Sequence, residues 1–333
     1  MNSNVAASVP RPDGCPALVA ADLARVETRL ATIIQSSREP RLVEIADHLI
    51  GAGGKRIRPT AALLVFHACV QPERPARHAD MTDVATALEL IHSATLLHDD
   101  IIDGSERRRG RESALRRFGL ADTLVAGDFV FSHAFALCAR FEERIVRWAA
   151  DACISLTEGE MLQGRLRRNA TVTVPDYLEI INRKTACLFE VGGRAAAYLA
   201  GAEPIVQERA AEMGHHLGMA FQMVDDLLDV TGESAVTGKP GAADLRDGNP
   251  SLPIVLALGQ DATFRRLFEK PQLDEPEIAE ALERIRASGV LPEVRARAEE
   301  NVRLARERIA LLPNPAARDA LNDVAQRILT RSD

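Results

Sequence analysis

Residues 96–110 read LLHDDIIDGSERRRG, and residues 221–232 read FQMVDDLLDVTG. Each stretch sets aspartates at D-D-x-x-D spacing inside a run of large apolar residues. On a helix, Asp99 and Asp103 are four residues apart, so their carboxylates stack on one face, as do those of Asp225 and Asp229. Leu96, Leu97, Ile101 and Ile102 surround the first set; Val224, Leu227, Leu228 and Val230 surround the second. A helix that is apolar nearly all round belongs in an interior. An ionised carboxylate there is costly unless it is paired or bound to metal. One such motif among 48 acidic residues reads equally well as a solvated helix end. Two copies with the same apolar filling do not. Hard oxygen ligands at helical spacing suit Mg²⁺, which is usually held by one or two carboxylates plus substrate phosphates.

The rest of the chain extends this helical reading. Val84, Ala87, Leu88, Ile91, Thr95 and His98 keep a three-to-four-residue apolar rhythm, as do Val302, Ala305, Ile309 and Leu312. The one alternating run, TVTVPDY at 171–177, contains a proline and is expected to be a connector. Breakers gather at 51–54, 70–80 and 232–253. The expectation is a single all-α domain of about ten helices over residues 18–333, preceded by a loose tail over 1–17. With 333 residues the chain is long enough for a large core. Its net charge of -7 argues against nucleic acid as a main partner. Five cysteines, at 15, 69, 138, 153 and 187, include no C-x-x-C pair and read as reduced thiols of a cytoplasmic protein. The N-terminus lacks a signal-peptide pattern, and no run of about 18 uncharged apolar residues suggests a membrane span.

Against the acidic background, two basic clusters suggest a local anionic ligand: Lys55, Arg56 and Arg58, and Arg107, Arg108 and Arg109. In GAGGKRIRP at 51–59, the cations fall at a loop-to-helix junction marked by Pro59, a favourable anion site. Guanidinium forks match phosphate oxygens in pairs. Metal-held and cation-held phosphate sites together suggest two diphosphates. Elsewhere, His98 reads as a packed or hydrogen-bonded histidine, and Glu160 and Gln163 as hydrogen-bonding groups near the cavity. Arg165, Arg167 and Arg168 read as a solvated helix end. Phe129, Phe131 and Phe135 read as core.

The motifs GGKRIRP, LLHDDIIDGSERRRG, GDFVFSHAF, GEMLQG, RKTACLFE, FQMVDDLLDVTG and GKPGAADLRDGNPSLP occur in that order. In this the chain resembles the all-trans polyprenyl diphosphate synthases, of the long-chain, octaprenyl or decaprenyl type. The resemblance runs from about residue 20 to the end. It implies an isoprenoid-synthase helical bundle around a deep central cavity, three Mg²⁺ per active site, and a homodimer. It also implies successive addition of isopentenyl diphosphate to an allylic diphosphate, farnesyl or geranylgeranyl, for quinone side chains. No membrane span is implied, although peripheral membrane contact would aid product release. Asp99, Asp103 and Asp225 would hold the metal. Arg108, Lys184, Thr185, Gln222 and Lys239 would hold the allylic diphosphate, with Lys184 counted among the catalytic groups. Lys55, Arg58, His92 and Arg109 would hold isopentenyl diphosphate. Asn249 stands where many relatives carry lysine. The alternatives are a shorter-chain synthase, a terpene cyclase, and a non-catalytic partner subunit. The second D-D-x-x-D and the basic cluster speak against the cyclase, and the intact metal motifs speak against the partner subunit.

One turn before Asp99 on its face lies Thr95, followed further back by Ile91 and Leu88, so these line the wall running away from the metals. In the family resembled, bulky aromatics four and five positions before the first aspartate stop the product short. Here Ala94 and Thr95 are small, which implies a long product. Ala94→Phe is therefore expected to shorten the product on chromatography, and an active variant with unchanged chain length refutes the wall assignment.

Overall fold

The computed structural model describes residues 16–71, 73, 75–232 and 241–331. The expected tail over 1–17 lies outside them except for its last two residues, and so does Lys239. A short 3₁₀ turn leads into α1 (Ala20–Gln35), α2 (Pro40–Ile50), α3 (Ile57–Cys69) and α4 (His78–Ile102). A two-stranded ribbon, Arg107–Arg108 with Arg111–Glu112, precedes α5 (Ala114–Phe118), α6 (Leu120–Cys138) and α7 (Glu143–Leu166). Then come α8 (Val174–Ile181), α9 (Cys187–Leu199) and α10 (Pro204–Thr231). After the undescribed stretch follow α11 (Ala243–Asp247), α12 (Leu252–Gln260), α13 (Ala262–Phe268), α14 (Glu275–Ala287), α15 (Leu291–Ile309) and α16 (Pro315–Leu329). The all-α expectation holds. The helical segments outnumber the ten expected, and the described part of the breaker-rich stretch holds a short helix, α11.

Local sequence explains the starts and ends. Glu39 caps α2 with Pro40 at its first position, and Thr173 with Asp176 forms a capping box that opens α8, so only the first three residues of TVTVPDY connect, and Val174–Tyr177 already belong to the helix. Asp274 and Glu277 do the same for α14. Two long helices organise the interior. The 25-residue α4 packs against α1, α3, α6 and α9, and the 28-residue α10 packs against α9, α15 and α16. Helix α3 is buried continuously from Pro59 to Phe66, whereas α15 buries only one stripe through Val294, Ala298, Val302, Ala305 and Ile309.

Helix α6 is long and apolar enough to cross a bilayer by composition alone, with only 33% of that window buried. It also carries Asp122 and Asp128 and lies along α4, so it reads as a packed helix with an apolar outer face.

Between α8 and α9, residues Asn182–Ala186 form a π-helical turn. Such single-turn bulges occur mostly at functional sites. Two glycines on neighbouring helices make room for it. A Cβ on Gly159 of α7 would lie 2.8 Å from the Lys184 amide nitrogen, and one on Gly218 of α10 would lie 2.6 Å from Ala186 Cα. Gly159→Ala is therefore expected to destabilise the protein by about 1–3 kcal/mol through overpacking, read as a lowered denaturation midpoint. A midpoint matching the parent protein counts against a tight fit of α7 on the π turn.

Candidate active site

A cavity of about 730 Å³ opens where α4, α10 and the π turn converge. Asp99, Asp103, Asp225, Asp226 and Asp229 line it, together with Lys55, Arg58, His92, Arg108, Arg109, Lys184, Thr185 and Gln222. The structure thus brings together every described residue that the sequence singles out for metal or diphosphate. Asp103 is the C-cap of α4, its amide still donating to the Asp99 carbonyl at 2.9 Å, so the stacked arrangement extends one residue past the helix.

The middle aspartate of each motif serves the scaffold. Asp100 is fully buried and takes the Arg108 guanidinium at 2.8 Å and the Ala114 amide at 3.3 Å. Asp226 accepts from Gln222 Nε2 at 2.9 Å and from the Leu252 amide at 3.1 Å. Burial raises the Asp226 carboxyl to about 6 despite those donors. The last aspartate of the second motif, Asp229, accepts from the amides of Ala243 and Asp244 at 2.9 and 3.0 Å, pinning the start of α11. Of the six aspartates, Asp100, Asp226 and Asp229 thus tie elements together, and Asp99, Asp103 and Asp225 line the cavity without such a backbone tie.

Each of those three meets a cation of the chain. The Lys184 ammonium stands 4.0 Å from Asp99, contacts Glu160 and donates to Gln163 Oε1 at 2.8 Å. Glu160 and Gln163 hydrogen-bond at the cavity as expected, holding Lys184 in place. Arg167 pairs with Asp103, and Arg331 with Asp225 at 2.9 Å. Burial, then the nearby Glu160 and Asp103 charges, raise the Asp99 carboxyl to about 6, although Lys184 opposes them. Burial disfavours the Lys184 ammonium, but Asp99 and Glu160 outweigh it and hold the group above its ordinary range.

The basic wall is built by backbone geometry. Arg56 sits at the N-cap of α3 in the left-handed region (φ 45°), which sends alternate side chains to opposite sides. Lys55 and Arg58 reach the cavity. Arg56, 3% exposed, turns inward to Glu27 at 2.6 Å and Glu89 at 2.7 Å. This corrects its place among the anion-binding cations. In the ribbon, strand alternation buries Arg108 and exposes Arg107, and Arg109 at the turn (φ 50°) donates to the Leu49 and Gly53 carbonyls. Arg58 lies over the Phe189 and Phe221 rings at 5.1 and 5.7 Å, and Arg331 over Phe221 at 4.4 Å. Burial, then Arg58 and Arg109, push the His92 imidazolium well down, so His92 offers a neutral hydrogen-bonding ring.

Several expectations change in detail. Thr185 donates to Gln222 Oε1 at 2.8 Å, so both are partly engaged with each other. Thr95 lines the cavity, with its hydroxyl on the His92 carbonyl at 2.8 Å; Ala94 is buried behind it at 1% exposure. Arg167 and Arg168 are no solvated helix end, because the first holds Asp103 and the second donates to the Arg246 carbonyl. His98 is hydrogen-bonded as expected, to the Leu124 carbonyl at 3.4 Å. Of the three phenylalanines read as core, Phe129 and Phe131 pack on it, but Phe135 is 42% exposed. Asn249 is buried against the cavity, its amide on the Asp244 carbonyl at 2.8 Å. Arg331 and the π turn carry no local sequence signal, since one depends on chain return and the other on a one-residue phase shift.

Among the described residues, no three acidic, histidine or cysteine side chains converge on one metal position. The donors are hard carboxylate oxygens spread over two facing helices, which fits Mg²⁺ completing its shell with waters and phosphate oxygens.

A model of the Polyprenyl synthetase family matches residues 39–285. Nonaprenyl diphosphate synthase of Mycobacterium tuberculosis is 34% identical over 319 residues, covering 95% of this chain and 94% of that protein. The crystal structure of a decaprenyl diphosphate synthase from Rhodobacter capsulatus superposes with a TM-score of 0.86 at 32% identity, covering 95% of this chain and 97% of the other. A polyprenyl synthase from Caulobacter crescentus, complexed with calcium and isoprenyl diphosphate, gives 0.88 at 33% identity, with coverage of 95% and 96%.

The Arg56 cluster is open to test without any ligand. Arg56→Met leaves Glu89 and Glu27 facing no cation in a buried setting, which is expected to cost about 3–5 kcal/mol. Chemical denaturation measures it, and a loss below 1 kcal/mol means the cluster carries little of the fold's stability.

Proposed function

This chain belongs to the polyprenyl synthetase family, and we propose that it is a trans-prenyltransferase extending an allylic diphosphate with isopentenyl diphosphate to a long all-trans product of about C40–C50. The observation that carries this reading is the pairing of two aspartate helices with a separate cationic wall in one cavity. That layout accommodates two diphosphates with different partners. Long-chain relatives on both the sequence and the structure side support the product class.

In this reading Asp99, Asp103 and Asp225 hold Mg²⁺, three ions per site with substrate bound. Bound there, the metal supplies charge neutralisation and Lewis-acid pull on the departing pyrophosphate. Lys184, held by Glu160 and Gln163, and Arg108, held by Asp100, orient the allylic diphosphate and stabilise its developing charge. Thr185, Gln222 and, beyond the described residues, Lys239 complete that subsite. Lys55, Arg58, Arg109 and neutral His92 position isopentenyl diphosphate, so its double bond faces the allylic carbon. Asn249 replaces a cation common in relatives, leaving fewer charge contacts. Ala94 and Thr95 leave room for the growing tail.

The exposed apolar residues Leu120, Leu124, Val125 and Phe135 of α6, with Ile154 and Met161 of α7, support a homodimer interface. The primer proposed is farnesyl or geranylgeranyl diphosphate. The setting proposed is the cytoplasm, with peripheral membrane contact on product release and quinone side chains as the destination.

Purified protein incubated with labelled isopentenyl diphosphate, farnesyl diphosphate and Mg²⁺ is expected to give a long prenyl ladder, abolished by chelator. Asp99→Asn is expected to lower kcat/KM by about 10²- to 10³-fold. A cyclic hydrocarbon, or no turnover by folded protein, overturns the assignment.

A further inference from the structure

The Arg167–Arg168 corner ties the end of the first aspartate helix to the segment that follows the second. Arg167 ends α7 with extended backbone (φ −58°, ψ 136°), and Arg168 follows in the left-handed region at φ 56°. The Arg168 amide donates to the Gly248 carbonyl at 2.9 Å, and its guanidinium to the Arg246 carbonyl. A side chain at Gly248 would run into Arg168, so the corner is seated closely on the segment after α11. From this anchor Arg167 reaches the end of α4. One nitrogen donates to the Ile102 carbonyl at 3.3 Å, and the other pairs with the Asp103 carboxylate. The Asp103 side chain is only 12% exposed and that of Arg167 only 22%. A guanidinium at the helix C-terminus also meets the negative end of the α4 dipole.

A divalent cation drawn to Asp103 meets the Arg167 charge on the same carboxylate, and the two cations repel. We infer that Arg167 is a resident counter-ion of Asp103, which a divalent cation must displace, and that it holds down the metal affinity of the substrate-free protein. This rests on the reading of Asp103 as a metal ligand. The apparent affinity of a site falls by the fraction of molecules in which it is competent, so metal alone binds poorly. Diphosphate restores affinity, because it adds oxygens for the metal and gives the released guanidinium a new partner. Arg167 is in this sense a positioning residue that makes metal loading depend on substrate.

The test is a Mn²⁺ titration of the full-length, substrate-free protein, followed by electron paramagnetic resonance of the free ion. Arg167→Gln is expected to bind Mn²⁺ about tenfold more tightly than the parent, as removal of a competing state requires. Arg167→Lys keeps a charge but loses the two-pronged contact, and is expected to fall between them. In a thermal melt, Arg167→Gln is expected to show the larger Mn²⁺-induced rise in Tm. If neither variant that folds binds more tightly, the counter-ion role is wrong. Asp103→Asn in the same titration separates the two claims. Weaker binding there keeps the metal assignment even if the Arg167 variants disappoint, and unchanged binding there overturns both.

Discussion

Carboxylates buried along the cavity are matched by cations from other parts of the chain, and the rest of the architecture follows from that requirement. An unpaired ion in such a setting costs several kcal/mol, and removing one member of a pair strands the other. Asp100 takes Arg108 from the ribbon, Glu89 takes Arg56 from the start of α3, and Asp99 faces Lys184 from the π turn. The first pair folds the ribbon back onto the end of α4, and the other two join α4 to segments distant in sequence, so together they fix where α4 stands relative to its neighbours. Apolar packing alone would not, since Leu, Ala and Val faces tolerate sliding.

Within each D-D-x-x-D motif the roles divide by direction. The middle residue points into the scaffold and takes amide or guanidinium donors. The first residue faces the cavity, and the last differs between motifs: Asp103 holds Arg167, whereas Asp229 holds the α11 amides. The two motifs are alike in sequence and unlike in use. The first wall turns two carboxylates to the cavity; the second turns Asp225 to it and uses its last aspartate to hold α11.

Much of this was legible in the chain. Apolar filling around paired aspartates marks α4 and α10 as interior helices, and glycines before a cationic run mark the loop-to-helix junction from which Lys55 and Arg58 line the cavity. What stayed hidden depends on which way a side chain turns. The run Lys55, Arg56, Arg58 does not reveal that a left-handed Arg56 points inward, because Glu27 and Glu89 lie on other helices. Arg167 looks like a surface residue until the α7 end is set beside α4. Arg331 meets Asp225 only once the final helix returns across the bundle. Residue type and period locate helices and their faces; pairings across many residues emerge only from packing.

The π turn has a consequence for how this helix pair tolerates change. One extra residue in an α-helix rotates everything beyond it by about 100°, so α8 and α9 are phased independently. Upstream, α8 presents Tyr177, Ile180 and Ile181 to the interior; downstream, α9 packs its small residues against α3 and α10. The turn is a vernier between two registers, and Lys184 and Thr185 sit on its graduation. A one-residue deletion there would close the α-helix at full hydrogen bonding. It would then satisfy either the packed faces on both sides or the aim of Lys184, but not both together.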